Sequence, residues 1–447
     1  MIDKFSSTTN IFPLSQIGKD DPRNIEMQHE IAGHKIEDLI AQFGSPLFVF
    51  EESKIRKNIQ DMMRAFKNLY PNVVHGWSYK TNYLNAICKI MHSEGSWAEV
   101  VSEFEYEKAR KLGIHGSNII YNGPHKSTTS LEKAITEGAI INIDNFDEIE
   151  AIHQLTLKVQ KPAKVCIRIN CETQFTERWV KFGFNYESGE SMLAVKAVAQ
   201  KQNINLVGIH NHIGTFVTEP KAYQNSVKVM CNLAKEIFET TGQVMEIINI
   251  GGGFASKNKL KSIYLPTELT TPTFEDYANN ICPYIIDFYK ANFPTHKLPM
   301  LILESGRAMV DDSCSIISTV VARKGVASEI NGYILDAGMN LLFTSSWYDH
   351  PVRTTKEYSG NLVKSTLFGP LCMNIDILRS NIMLPKMQCG DAILILSAGA
   401  YNVTQWMQFI EMRPNVVLIN PLGNVDILRH KESVDTMNLQ ENTPPHL

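Results

Sequence analysis

The sequence predicts an α/β fold, a (β/α)8 TIM-type barrel followed by a mostly β C-terminal domain. Three observations carry this. At 447 residues the chain is too long for one ordinary core. From about residue 46 to about residue 305, short β-rich runs alternate with amphipathic helical stretches, the pattern of a parallel sheet with crossover helices. Beyond Arg307 the runs continue but the helical stretches fade.

Taken in order, "PLFVF" reads as the first barrel strand and leads into the helix-like "ESKIRKNIQDMMRAFKNLY". "NVVHGWSY" leads to "NYLNAICKIMHSEG", "NIIYNG" to "STTSLEKAITEG", and "AIINID" to "NFDEIEAIHQL". "AKVCIRIN", "NLVGIHNHIG", "EIINIGGGF" and "PMLILESG" complete a series of eight, the strand count of such a barrel. "CSIISTVVARKG", "NGYILDAG", "STLFGPLC" and "DAILILSAGAY" then read as strands joined by turns. The expected organisation is an N-terminal segment, 1–45, packing with the C-terminal β domain; a barrel, 46–305; the β domain, 306–430; and a polar, frayed tail, 431–447.

Composition narrows the function. Hydrophobic residues make up 44% and charged residues 20%, with a net charge of −4 and no long basic block. Nucleic acid and acidic membrane surfaces are therefore poor partners. The start, "MIDKFSSTTNIFPL", lacks the basic and apolar regions of a signal peptide, and no apolar run is long enough to span a bilayer. The eight cysteines form no CxxC pair and are expected to be reduced thiols in a cytoplasm. No His/Cys cluster suggests a metal site; His210 and His212 lie two apart on one strand.

In a barrel, ligand groups gather where strands end and loops begin. Lys80, His212, the glycines at 251–253, and Glu304 with Arg307 all fall at such places. Singly, each has a plain structural reading: an ion-paired lysine, a hydrogen-bonded histidine, a tight turn, a surface ion pair. Together they describe different chemistry. A desolvated lysine forms imines with carbonyls. Glycines after a strand let backbone N–H groups approach a phosphate. With an acid and an aromatic-stacking histidine, these are the groups that pyridoxal 5′-phosphate (PLP) needs.

The chain resembles the PLP-dependent decarboxylases of the diaminopimelate/ornithine decarboxylase family, which have the alanine-racemase-like fold (fold type III). The resemblance runs from about residue 45 to about residue 425. It rests on an ordered series: "YKTN" at 79–82, "EVVSEFE" at 99–105, "YNGPHKS" at 121–127, "HIGT" at 212–215, "GGGF" at 251–254, "ESGR" at 304–307, "DAGMN" at 336–340, "FGPLC" at 368–372 and "GAY" at 399–401. It implies that Lys80 carries PLP covalently and that His212 stacks on its ring. Thr215, Gly251, Gly252, Gly253 and Tyr401 would hold the phosphate, and Glu304 the pyridine nitrogen. Arg307 would bind phosphate or a substrate carboxylate. Cys372 would enter the neighbour's site across a head-to-tail homodimer with shared active sites. The implied reaction is loss of the α-carboxylate of an amino acid, with Lys80 and Cys372 as the catalytic residues.

Two positions depart from the family pattern. Met373 stands where these enzymes place an acid for a distal ammonium, and Thr344 near where diaminopimelate enzymes place an arginine. Tyr348 and Asp349, in "WYDH", remain candidate substrate contacts. Trp406, Met407 and Phe409 read as core or as lining of a roomier pocket, with Gln405, Gln408 and Arg413 as polar contacts. The expected substrate is an N-acylated diamino acid such as N-citryl-ornithine, in siderophore biosynthesis. The alternatives are a decarboxylase of free ornithine, lysine or meso-diaminopimelate, a racemase on the same fold, and a non-catalytic PLP-binding regulatory relative.

Overall fold

The computed structural model describes residues 25–261, 267–327 and 330–447. Eight parallel strands form a closed barrel: Val73–Ser78, Trp97–Val100, Ile119–Tyr121, Ile140–Ile143, Ala163–Asn170, Ile204–Asn211, Ile247–Asn249 and Met300–Leu303. Parallel pairing of Ile204–Asn211 with Ala163–Asn170 on one side and Ile247–Asn249 on the other brings the ends of the sheet together. A short strand, Phe184–Asn185, adds to the end of Ala163–Asn170.

One expected strand is reassigned. Leu47–Glu51 pairs antiparallel with Cys314–Ala327 and parallel with Val416–Ile419, in the C-terminal sheet. Trp97–Val100 takes its place in the barrel. "PLFVF" is apolar on both faces, which marks a doubly buried strand without saying in which sheet. "WAEV" is short and carries an acid, Glu99, so it does not read as a strand, although Glu99 is fully buried.

The helices between strands bury one face each, and several begin at side-chain caps. Ser102, Ser127 and Asn145 accept the N–H of Glu105, Ser130 and Glu148. Thr273 and Asp276 form a reciprocal capping box. Each cap contributes about 1 kcal/mol. The lower barrel is plugged by Ile120, Ile140, Cys166, Ile247 and Ile302. Above this plug, buried polar side chains gather at the C-terminal ends of the strands.

The C-terminal sheet is built on the long strand Cys314–Ala327, which pairs with Ile330–Leu335, Ala392–Ile395 and Leu47–Glu51. Ile31, Ile36, Leu39 and Phe43 bury against its outer face with Val49, Ile317, Leu394 and Val417. Residues 1–24 of the expected N-terminal segment lie outside the described residues. Past Ser433 the chain forms a short exposed helix, Val434–Asn438, where the composition suggests a frayed tail.

Candidate active site

Each barrel strand of the site ends in a polar residue that the apolar plug cannot accommodate. Ser78, Glu99, Asn122, Arg168, His210, Asn249 and Glu304 are all buried at this end. Lys80 sits two residues beyond Val73–Ser78, at the edge of a cavity of about 600 Å3. His212, Thr215, Glu304, Arg307, Tyr348 and Tyr401 line the same cavity.

Lys80 Nζ lies 2.8 and 2.7 Å from the two carboxylate oxygens of Glu99. Burial opposes its charge, but Glu99 and, further off, Glu304 and Tyr401 outweigh this and raise its pKa. Glu304 accepts amide N–H groups from Asn249 at 2.7 Å and Asn122 at 3.0 Å, and its other oxygen faces His210 Nε2 at 3.4 Å. Burial alone would favour the acid form. The neighbouring His210, Lys80 and Asn249 overcome it and hold Glu304 ionised. Burial, with Lys80 and Arg168 nearby, keeps His212 neutral. Its Nδ1 accepts the Gly252 N–H at 3.0 Å, and Trp179 packs on its ring at 5.3 Å.

The glycine run does not line the cavity; it is packed behind it. A Cβ on Gly252 would stand 2.4 Å from the Glu304 carbonyl oxygen, and one on Gly253 2.3 Å from that of Gly214. Gly251 and Gly253 also have φ of +66° and +100°, which favour glycine. Only glycine brings these loops and the backbone of Glu304 so close. The Arg307 guanidinium sits 4.6 and 4.8 Å from the ring centres of Tyr348 and Tyr401. Its Nε and Nη1 are buried without hydrogen-bond partners.

Other expected contacts are not brought to this cavity. Thr344 is buried and bonds to Asn402 and His350. Asp349 faces Arg379 at 3.5 Å. Cys372 is exposed, and neither it nor Met373 lines the cavity of its own chain. Gln405 does line it, whereas Trp406 packs on Phe48 and Arg413 pairs with Glu432. Glu99, Asn122, Arg168 and Asn249 were missed. Their signal was a charged or amide side chain closing an apolar strand run, and Glu99 and Asn122 stood inside quoted motifs. Arg168 is held by Asp144 at 3.3 Å and by the Phe182 ring at 4.5 Å.

Comparison with known proteins gives the same picture. The family model described as "Pyridoxal-dependent decarboxylase, pyridoxal binding domain" matches residues 56–311, and its C-terminal sheet domain matches residues 284–399. Diaminopimelate decarboxylase of Aquifex aeolicus is 26% identical over 416 residues, 91% of this chain and 93% of that protein. L-glutamyl-(BtrI acyl-carrier protein) decarboxylase of Niallia circulans is 28% identical over 418 residues, 90% of this chain and 94% of that one. The crystal structure of diaminopimelate decarboxylase from M. jannaschii superposes with a TM-score of 0.85 at 26% identity, covering 95% of this chain and 98% of that one.

The cavity suits the cofactor of these enzymes. It combines an amine at its edge, a buried ionised carboxylate for a pyridinium, a neutral histidine, and an arginine with two nitrogens free of hydrogen bonds. Barrel, C-terminal sheet, family models and site agree: the chain belongs to the PLP-dependent decarboxylases of the ornithine/diaminopimelate family.

Proposed function

We propose that this enzyme removes the α-carboxylate, as CO2, from a diamino acid whose distal nitrogen is acylated, N-citryl-ornithine representing the class and siderophore biosynthesis the setting. One observation carries the reading. Among the described residues lining the cavity, Glu304 is the only carboxylate, and it is committed to Asn122, Asn249 and His210. The other charged lining residues are Lys80, Arg168, Lys181 and Arg307, all cations. A free distal ammonium would enter without a partner, at a cost of several kcal/mol if buried. Met373, at the family's acidic position, adds none. Trp179, Phe182, Trp347 and Gln405 offer rings and an amide to an acyl group. A relative is named for L-glutamyl on an acyl-carrier protein, an amino acid joined through a carboxyl group to a larger carrier, which supports amino acids bearing a bulky distal group as substrates in this family.

Lys80 would carry PLP, with His212 against its ring. Thr215, Tyr401 and Arg307 would hold anionic oxygens, with the glycine run packed behind the cavity keeping the loops close. When bound, PLP supplies an electron sink for the pair left on Cα as CO2 departs. The protein's part is electrostatic and geometric. Glu304, ionised and fixed by two amides, keeps a proton on the pyridine nitrogen. Cys372, supplied by the second chain of a homodimer, returns a proton to Cα; its exposure in one chain agrees with that role. We place the enzyme in the cytoplasm; no helix among the described residues is long and apolar enough to cross a membrane.

Steady-state CO2 release from N-citryl-ornithine, ornithine, lysine and meso-diaminopimelate tests this. The acylated substrate is expected to have the highest kcat/KM. A preference for any free diamino acid refutes the substrate class, and no CO2 from any amino acid in a broad screen favours the non-catalytic relative.

A further inference from the structure

A buried carboxylate, Asp311, stands beside Arg307. Asp311 lies one helical turn after Arg307. Its Oδ2 accepts Ser256 Oγ at 2.5 Å and Asn258 Nδ2 at 3.3 Å, and faces Arg307 Nη1 at 3.8 Å. Its backbone carbonyl accepts the Gly399 N–H at 3.1 Å, and Asn258 also donates to the Ser397 carbonyl at 3.2 Å. A single residue therefore joins three segments: the stretch after the glycine run, the turn bearing Arg307, and the loop bearing Tyr401. Among the described residues, Asp311 is the only carboxylate within ion-pair distance of Arg307.

We propose that Asp311 is a positioning residue that sets how tightly Arg307 holds an anionic oxygen. The inference rests on Arg307 being an anion-holding residue. Ionised, Asp311 anchors the guanidinium but offsets part of its charge. Protonated, it leaves that charge to the ligand. The groups facing it are few. Arg307 stands on its own segment and Ser256 and Asn258 on the glycine-run loop. Asp312, beside it, is taken by Asn58 at 2.8 Å. Burial keeps the Cys314 thiol and the Tyr348 hydroxyl neutral. Burial, aided by Asp312, pushes the Asp311 carboxyl up to about 6, against the opposing pull of Arg307, Ser256 and Asn258. The carboxyl therefore changes charge between pH 5 and 7.

The test compares wild type with Asp311→Asn at pH 5.5 and pH 8. Two affinities are read from cofactor absorbance: PLP for the full-length protein, and L-ornithine titrated into the holoenzyme as the carboxylate probe. Comparison at one pH cancels the ligand's own titration. The two proteins should match more closely at pH 5.5. At pH 8 the variant should bind one of the probes more tightly, by on the order of tenfold for a charge removed at this range in a partly screened site. Ser256→Ala removes a donor to the carboxylate and should move the wild-type transition to higher pH. A wild-type to variant ratio equal at both pH values, for both probes, overturns the proposal. Arg307→Met separates the two failures. If it changes neither affinity, the anion-holding reading itself falls. If it weakens one while the Asp311→Asn ratio stays flat, only the role of Asp311 falls.

Discussion

Glu99→Gln probes the electrostatics of the site most directly. Lys80 Nζ sits 2.7–2.8 Å from both oxygens of a carboxylate that is fully buried, while the lysine side chain is 36% exposed. At an effective dielectric near 20, such a contact is worth up to ~6 kcal/mol. Water at the exposed lysine and the hydrogen bond kept by the amide reduce the net loss to about 2 kcal/mol. The loss falls on the ammonium form, so the balance at Lys80 shifts toward the free amine. The sign follows from the wild-type arrangement: Glu99 raises the pKa of Lys80, so the amine is an ammonium over more of the pH range and cannot attack an aldehyde there. Glu99→Gln should therefore capture PLP covalently at lower pH. The assay is the rate of cofactor capture by the free protein, followed by absorbance from pH 6 to 10, with borohydride trapping to confirm the bond. An unchanged midpoint, or one that moves upward in a protein with native circular dichroism, would refute the reasoning.

Two further outcomes follow from the same geometry. Gly252→Ala places a Cβ 2.4 Å from the Glu304 carbonyl oxygen; it should cost about 1–3 kcal/mol and weaken PLP retention, seen as a lower Tm together with loss of bound cofactor on dialysis. Glu105 is buried, and burial with Glu99 nearby pushes its carboxyl up to about 7. A raised acid costs stability as it ionises, so wild type should lose up to about 3 kcal/mol between pH 4.5 and 7 through this group. Glu105→Gln, which can still accept the Val101 N–H, should remove that loss, measured by denaturant unfolding at pH 5 and pH 8.

Much of the architecture was legible because periodicity reports burial. Strand and helix alternation marked the barrel, and the loss of helical stretches past Arg307 marked the second sheet. The catalytic end was legible because unusual residues recur at strand ends: Lys80, His212, Glu304 and Arg307 do line one cavity. Thr344 and Asp349 stand outside the cavity lining of their own chain because residues near each other in sequence need not face the same way. One turns into a buried network with His350 and Asn402, the other toward Arg379.

The sequence by itself determined the fold class, the family and the groups that converge at the barrel mouth, since these follow from local pattern and ordered motifs. Only the tertiary structure decided that Leu47–Glu51 belongs to the C-terminal sheet and Trp97–Val100 to the barrel. It alone set Glu99 against Lys80 and Asp311 beneath Arg307. The physical reason is that an apolar run specifies that it must be buried, not which neighbours bury it. A buried charge, likewise, gains its meaning from a partner that folding brings from a distant part of the chain.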